Sequence, residues 1–138
     1  MTTMPDQIEL LVVEDDDVDQ LSFTRLRDSV FAGFRMHMCS DGPGALAALE
    51  HLRGKRVVVV LDLNLPKMSG LEFLERLRAD AELATVPVVV LSTSQDQRDV
   101  EACYARHVAG YFVKPIDSAE MESVLSAIAT YWRIGVIA

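Results

Sequence analysis

The sequence predicts an α/β fold in which a parallel sheet is covered by helices on both faces. Short apolar runs alternate with segments of helical spacing along the whole chain. Five β-α units in strict alternation favour a parallel sheet, because right-handed crossovers return each strand beside another strand. The run Val57–Leu61 is apolar throughout, as expected of a strand that is covered on both sides.

The five predicted strands are short apolar runs bounded by turn-forming or charged residues. They are Ile8–Val13, Phe34–Cys39, Val57–Leu61, Pro87–Leu91 and Gly110–Val113. The second run differs from the others because Arg35 and His37 interrupt its apolar residues. This alternation is typical of a strand at the edge of a sheet.

The helices are predicted from apolar residues that recur three or four positions apart. The faces consist of Ala45, Leu46, Ala48, Leu49 and Leu52, then Leu71, Leu74 and Leu77, then Val100, Cys103 and Tyr104, and finally Met121, Val124, Leu125, Ile128 and Trp132. The first helix lies within residues 18–30 and has a less regular face. Helix starts are expected at Asp41, Ser69, Ser94 and Asp117, and the last three match the capping-box pattern.

Composition limits the class of protein. The 138 residues are 50% hydrophobic and 25% charged, which favours one globular domain over 1–138, with a core of about 8–132 and a short apolar tail, 133–138. The net charge of -8 makes nucleic acid a poor partner. Apolar runs too short for a bilayer and no secretory signal lead us to expect a cytoplasmic protein without membrane insertion. Cys39 and Cys103 are expected to be reduced thiols.

The residues that carry chemistry follow the predicted strands. Glu14 and Asp15 follow the first strand, Asp62 the third, Ser92 the fourth and Lys114 the fifth. Ligands bind at the carboxyl ends of the strands in such sheets. Two carboxylates about 5 Å apart repel by roughly 3 kcal/mol at an effective dielectric of about 20, so this cluster favours a cation. A hard divalent ion with oxygen ligands is the Mg²⁺ pattern, and a lysine with a hydroxyl donor suits a phosphoryl group.

These residues resemble the receiver domain of bacterial two-component systems over about Ile8 to Trp132. The resemblance rests on the acidic pair, on residues 61–70 and on residues 110–116. It implies a flavodoxin-like (βα)5 fold with strand order 2-1-3-4-5. It also implies a single-domain response regulator, a phosphoacceptor signalling domain rather than an enzyme, whose only reactions are its own phosphorylation and dephosphorylation. The phosphoryl donor would be a sensor histidine kinase or a histidine phosphotransfer protein.

The resemblance implies a role for each matching residue. Asp62 would be the phosphoacceptor. Asp15 and Asp62 would bind Mg²⁺ (or Mn²⁺) directly, Asn64 through its backbone carbonyl and Glu14 through water. No other cofactor is expected.

Three further features are implied in the same way. Lys114 would contact the phosphoryl oxygens, and Ser92 would move to donate a hydrogen bond to them. Tyr111 would be the aromatic switch residue that turns inward when Ser92 moves, changing the α4-β5-α5 surface for a partner. The Lys114–Pro115 bond would be cis, an isomer that only X-Pro bonds adopt at low cost.

A narrower resemblance concerns regulators without an output domain. The stretches Val88–Ser94 and Ile128–Trp132 are similar to those of stand-alone regulators paired with bacterial phytochromes. Trp132 and the apolar run Ile134–Ala138 predict docking on the domain itself or on a partner subunit. We expect a homodimer involving the last helix and this tail.

Three other interpretations share parts of these observations. A phosphatase of the haloacid dehalogenase type would also form an aspartyl phosphate, but it requires an acid where this chain has Asn64. A flavodoxin-like flavin carrier would require a glycine-rich phosphate loop after the first strand, where an acidic cluster stands instead. A receiver-like scaffold that is never phosphorylated stays compatible with the sequence.

Overall fold

The computed structural model describes residues 7–135 and 137, which form a five-stranded parallel sheet flanked by five helices. The strands are Ile8–Val13 (β1), Phe34–Cys39 (β2), Val57–Leu61 (β3), Val88–Ser92 (β4) and Gly110–Val113 (β5). The helices are Asp17–Arg25 (α1), Gly42–His51 (α2), Gly70–Ala79 (α3), Gln97–Ala105 (α4) and Ser118–Ile134 (α5). Among the described residues, none of the helices combines the length and the apolar character that a membrane span requires.

The strands lie in the order β2-β1-β3-β4-β5, which confirms the predicted fold class. β1 pairs with both β2 and β3, so the strand order reverses around β1. A crevice opens at the carboxyl ends of the strands where such a reversal occurs. The acidic residues after β1 and the aspartate after β3 therefore face each other across this point. β2 lies at one edge of the sheet, as its alternating pattern predicted.

Two apolar layers cover the sheet, and the alternation of β3 divides its side chains between them. Val57, Val59 and Leu61 pack with α2, α3 and α4 in the first layer. Val58 and Val60 pack with α1 and α5 in the second layer. All five side chains of β3 are buried, which agrees with the prediction of a strand that is covered on both faces.

The C-terminal part of the chain packs partly on its own domain. Trp132 at the end of α5 is only 7% exposed, and Ile137 is only 8% exposed in the same apolar layer. Tyr131 contacts the Trp132 ring edge-on at 4.7 Å and is itself exposed, as is Ile134. Arg133 donates to two carbonyls of the α1–β2 connection at 2.8 and 2.9 Å. Two tail positions, 136 and 138, lie outside the described residues.

Three of the four expected helix starts are found. Asp41, Ser69 and Asp117 are the N-caps of α2, α3 and α5. The prediction that Ser94 caps α4 is wrong, because Asp96 accepts the N–H of Arg98 at 2.9 Å and caps the helix instead.

The fourth strand is displaced by one residue from its predicted range. Pro87 has no N–H to contribute to the sheet, although its carbonyl accepts from the N–H of Val59 at 3.0 Å. At the other end Ser92 still pairs with Val113 of β5. The strand therefore includes the serine that the sequence placed just after it.

Arg78 on α3 joins the connection between α3 and β4 to the connection between α4 and β5. The guanidinium of Arg78 donates to the carbonyls of Ala84 and Val86 before β4, at 3.1 and 2.7 Å. It also donates to the carbonyls of Arg106 and His107 after α4, at 2.9 and 3.0 Å. Burial lowers the pKa of Arg78, and the four acceptors compensate for that desolvation with charge-assisted bonds.

Candidate functional site

Three carboxylates meet at the carboxyl ends of β1 and β3. One oxygen each from Glu14, Asp15 and Asp62 can be chosen so that all three lie within 4.8 Å of one another. Glu14 and Asp62 are buried, with 2% and 6% of their surface exposed, whereas Asp15 is exposed to solvent. A set of closely spaced carboxylate oxygens that is open on one side suits a hard divalent cation which keeps some of its waters.

Lys114 reaches into this cluster from the end of β5. Its Nζ lies 2.6 Å from Glu14 Oε1 and 3.3 Å from Asp62 Oδ2. It also lies 2.7 Å from Oδ2 of Asp19, a residue in the first turn of α1. The lysine side chain is only 7% exposed. The structure thus brings the predicted lysine to the predicted Glu14 and Asp62, and it adds a third carboxylate contact, with Asp19, that the sequence did not indicate.

The charges of the cluster alter two pKa values. Burial and the neighbouring Asp62 carboxylate raise the pKa of Glu14 to about 7, although its bond to Lys114 acts in the opposite direction. Burial lowers the pKa of Lys114, but the hydrogen bonds to Asp19 and Glu14 outweigh it and raise the pKa above its ordinary value. Lys114 is therefore a permanent cation among acids that repel one another.

The loop after β3 fixes the position of Asp62. The backbone N–H of Asp62 donates to the carbonyl of Val13 at 3.0 Å, which ties the residue to the end of β1. The N–H of Asn64 donates to Asp62 Oδ1 at 3.3 Å. At Gly70, a Cβ would lie 2.6 Å from Leu63 Cα and 2.9 Å from the carbonyl oxygen of Asp62. Position 70 therefore admits no side chain unless the Asp62 loop moves.

Ser92 and Tyr111 lie on the neighbouring strands β4 and β5. Ser92 is fully buried, and its Oγ accepts from the N–H of Ser94 at 3.2 Å. The Tyr111 hydroxyl donates to the carbonyl of Ser94 at 2.8 Å. The hydroxyl of Ser94 in turn donates to Asp99 on α4 at 2.5 Å. A chain of hydrogen bonds thus connects the ends of β4 and β5 with the first turn of α4.

The expected cis bond before Pro115 is not found. The described part of the chain contains no cis peptide bond, so the Lys114–Pro115 bond is trans and the prediction is wrong. The trans isomer is favoured by about 0.5–1 kcal/mol for X-Pro bonds. Lys114 reaches Asp62 with this isomer, while its N–H donates to the carbonyl of Ser92 at 2.7 Å.

Asp19 contributes to the site although the sequence did not indicate it. The contact between Asp19 and Lys114 joins residues that are 95 positions apart. No local pattern indicated this contact, because it depends on how α1 approaches the end of β5. Asp16, by contrast, caps α1 by accepting the N–H of Asp19 at 3.0 Å.

The family of the chain follows from a comparison with known proteins. A family model described as the response regulator receiver domain matches residues 10–126. The chain belongs to this family. Receiver domains are signalling domains, generally not catalytic enzymes, and they interact with histidine kinases.

Two relatives are similar to this chain over most of their own length. The probable methanogenesis regulatory protein FilR2 of Methanothrix harundinacea is 33% identical over 92% of this chain and 84% of its own length. The response regulator Rcp1 of Synechocystis sp. is 31% identical over 89% of this chain and 87% of its own length.

Solved structures agree with these sequence relatives. The Mn²⁺-bound form of Rcp1 superimposes with a TM-score of 0.85 at 29% identity, covering 96% of this chain and 99% of that chain. The phosphorylated cyanobacterial phytochrome response regulator RcpA gives 0.83 at 27% identity with the same coverage. The predicted resemblance to phytochrome response regulators is therefore confirmed.

Proposed function

We propose that this receiver domain, over residues 1–138, accepts a phosphoryl group on Asp62 from a sensor histidine kinase or a histidine phosphotransfer protein. The observation that carries the proposal is the position of the Asp62 carboxylate. It belongs to the acidic cluster and lies 3.3 Å from the Lys114 ammonium. A carboxylate in this setting can act as a nucleophile while positive charge balances the incoming phosphoryl oxygens.

The acidic cluster fits a divalent cation, which we propose to be Mg²⁺ or Mn²⁺. Asp15 and Asp62 would hold the ion directly, Glu14 through a water molecule and Asn64 through its backbone carbonyl. Three carboxylates with oxygens within 4.8 Å support this assignment, as does the Mn²⁺-bound structure of the relative Rcp1. When bound, the ion supplies positive charge that offsets the charge of the phosphoryl group.

The chain's own residues would then carry the transfer. Asp62 attacks phosphorus in line, so that a P–O bond forms while the P–N bond to the donor histidine breaks and the imidazole nitrogen keeps the electron pair. Lys114 donates hydrogen bonds to the phosphoryl oxygens, and Ser92 presents its hydroxyl to the same group after a small movement. The product is a phosphorylated protein rather than a released metabolite.

The surface around the site supports docking of a phosphodonor protein beside α1. Val18 and Leu21 on α1 and Ile116 after β5 are 72%, 52% and 105% exposed. Exposed apolar side chains at the rim of a buried polar site are typical of an interaction surface. We propose a phytochrome-type kinase as the donor, in the cytoplasm, on the basis of the similarity to Rcp1 and RcpA.

Phosphorylation is proposed to switch the surface formed by α4, β5 and α5. The new group adds close to two negative charges and three strong acceptors. If Ser92 turns toward it, the hydrogen bonds that link Ser94, Tyr111 and Asp99 must rearrange. Because these bonds reach the first turn of α4, the rearrangement would favour a second conformation of that surface.

We further propose a homodimer through the end of α5. Tyr131 and Ile134 are 65% and 78% exposed there, whereas Trp132 and Ile137 are covered by their own domain. A second copy would cover the exposed pair. Light scattering at tens of micromolar tests this, and a monomer both before and after phosphorylation would contradict it.

The phosphoacceptor assignment is tested by replacing Asp62 with Asn. Acetyl phosphate and Mg²⁺ should label the wild-type chain with an acyl phosphate and should leave Asp62→Asn unlabelled. Asp28→Asn provides a matched control, because Asp28 is exposed and follows α1, far from the carboxyl ends of the strands where the acidic cluster lies. Equal labelling of Asp62→Asn and wild type would refute the assignment.

A further inference from the structure

The ammonium of Lys114 is shared among three carboxylates. An ammonium group has three N–H donors, and the three acceptors Glu14, Asp19 and Asp62 lie 2.6, 2.7 and 3.3 Å from Nζ. The two shorter contacts therefore go to carboxylates other than the phosphoacceptor. A phosphoryl oxygen on Asp62 must compete with both of them for the charge of the lysine.

Asp19 and Glu14 differ in how they take part in this competition. Glu14 belongs to the carboxylate cluster that fits a divalent ion, so a bound ion shares its charge. Asp19 is not a member of that cluster. Lys114 is the only described side chain that donates to the Asp19 carboxylate, and this side chain is 20% exposed. We therefore expect the ion pair between Asp19 and Lys114 to persist when the ion binds.

We propose that Asp19 is a positioning residue that restrains phosphorylation of Asp62 by holding the Lys114 ammonium on α1. The inference rests on the proposed function of Asp62 and Lys114. Asp19 acts through the lysine and touches neither the phosphoryl group nor the cation. Removing its charge frees one donor of Lys114 for the phosphoryl oxygens and removes a nearby negative charge that repels them.

The variant Asp19→Asn tests this with a matched control. The backbone N–H of Asp19 donates to Asp16 at 3.0 Å whatever the side chain, so the start of α1 is kept. Asp17→Asn removes the same charge from the same helical turn, but Asp17 is exposed and makes no described contact with Lys114. With acetyl phosphate and Mg²⁺, we expect Asp19→Asn to label about threefold faster or more and to bind beryllofluoride more tightly, and Asp17→Asn to stay within about twofold of wild type.

A second measurement on the wild-type chain does not depend on any variant. Nuclear magnetic resonance of the Lys114 side chain should show a scalar coupling from its ¹⁵Nζ to the carboxylate carbon of Asp19. This coupling should weaken or vanish when beryllofluoride and Mg²⁺ are added, because the lysine then donates to the analogue.

The outcomes separate this inference from the proposed function. Three outcomes would overturn the proposed role of Asp19 and leave the labelling of Asp62 intact. They are equal rates for the Asp19→Asn and Asp17→Asn variants, a slower Asp19→Asn variant, and an unchanged coupling with beryllofluoride bound. Absence of labelling in the wild-type chain would instead overturn the proposed function, and this inference with it.

Discussion

Replacing Arg78 by Met should strongly destabilise the fold without touching the acidic cluster. Three of the four hydrogen bonds of Arg78 are partly buried, namely those to Ala84, Val86 and Arg106. At about 1–1.5 kcal/mol for each of these bonds, their loss amounts to about 3–4.5 kcal/mol. Burial of the guanidinium has a desolvation cost, which lowers the pKa of Arg78. The variant is free of this cost, so part of the lost stability is recovered. We therefore expect a loss of about 3 kcal/mol, a large share of a typical stability of about 5–15 kcal/mol.

Urea unfolding followed by far-ultraviolet circular dichroism at neutral pH measures this loss. The midpoint should fall while the slope with urea stays constant, because the surface exposed on unfolding is unchanged. A thermal midpoint about 10 °C lower is expected for a chain of this length. Hydrogen exchange should accelerate first in the amides around Ala84 and His107, whose carbonyls lose their shared donor.

Arg76→Met is the matched control on the same helix. Arg76 is 59% exposed and makes one ion pair, with Glu72 at 3.4 Å, so its loss should change the stability by at most about 0.5 kcal/mol. A loss below about 1 kcal/mol for Arg78→Met, or one no larger than that of the control, would show that the four carbonyls find other donors and would refute the reasoning.

Three other perturbations test different parts of the molecule. Gly70→Ala should cost about 1–3 kcal/mol and weaken Mg²⁺ binding, because its Cβ would lie 2.6 Å from Leu63 Cα; unchanged melting and unchanged Mg²⁺ titration would count against the close contact. Mg²⁺ at about 100 times its dissociation constant should stabilise the wild type by about 2.7 kcal/mol, and Asp15→Asn should lose this gain in urea unfolding; a gain that survives would exclude Asp15 as a ligand. Burial raises the pKa of the Cys103 thiol from 9.0 to about 11, so the folded state keeps a proton that the unfolded state releases, and its contribution to stability falls as pH rises from about 9 to 11. Native Cys103 should accordingly react with a thiol reagent at pH 8 only after unfolding, and prompt labelling would contradict its burial.

The strands could be predicted closely because each one is an apolar run with polar or turn-forming residues at its ends. Four strands have the predicted bounds, and the exception arises from the missing N–H of Pro87. The cap of α4 was less predictable, because two nearby side chains each accept a backbone N–H. Ser94 accepts the N–H of Asp96, and Asp96 accepts the N–H of Arg98. Sequence spacing does not decide which of two such neighbours is the cap. The cap is the residue whose side chain reaches a free N–H in the first turn of the helix.

The site could be predicted as far as it follows from strand ends. Residues after parallel strands meet at one edge of the sheet, which is why Glu14, Asp62 and Lys114 lie together. The contacts of Asp19 and Arg78 depend instead on how α1 and α3 approach distant loops, which no local pattern encodes. The isomer of the Lys114–Pro115 bond was likewise expected from resemblance alone, and the two isomers differ by too little energy for the sequence to decide.

Trp132 is the only tryptophan in the chain, and it lies beside the starts of β4 and β5, near Val89 and Gly110. The acidic cluster lies at the opposite ends of the strands. The protein therefore carries a single tryptophan, which can be excited at wavelengths its three tyrosines do not absorb, and which reports on the interior beneath α5, away from the acidic cluster. Its emission should follow unfolding of that layer and stay constant during a cation titration, so one optical signal can separate loss of packing from occupation of the site.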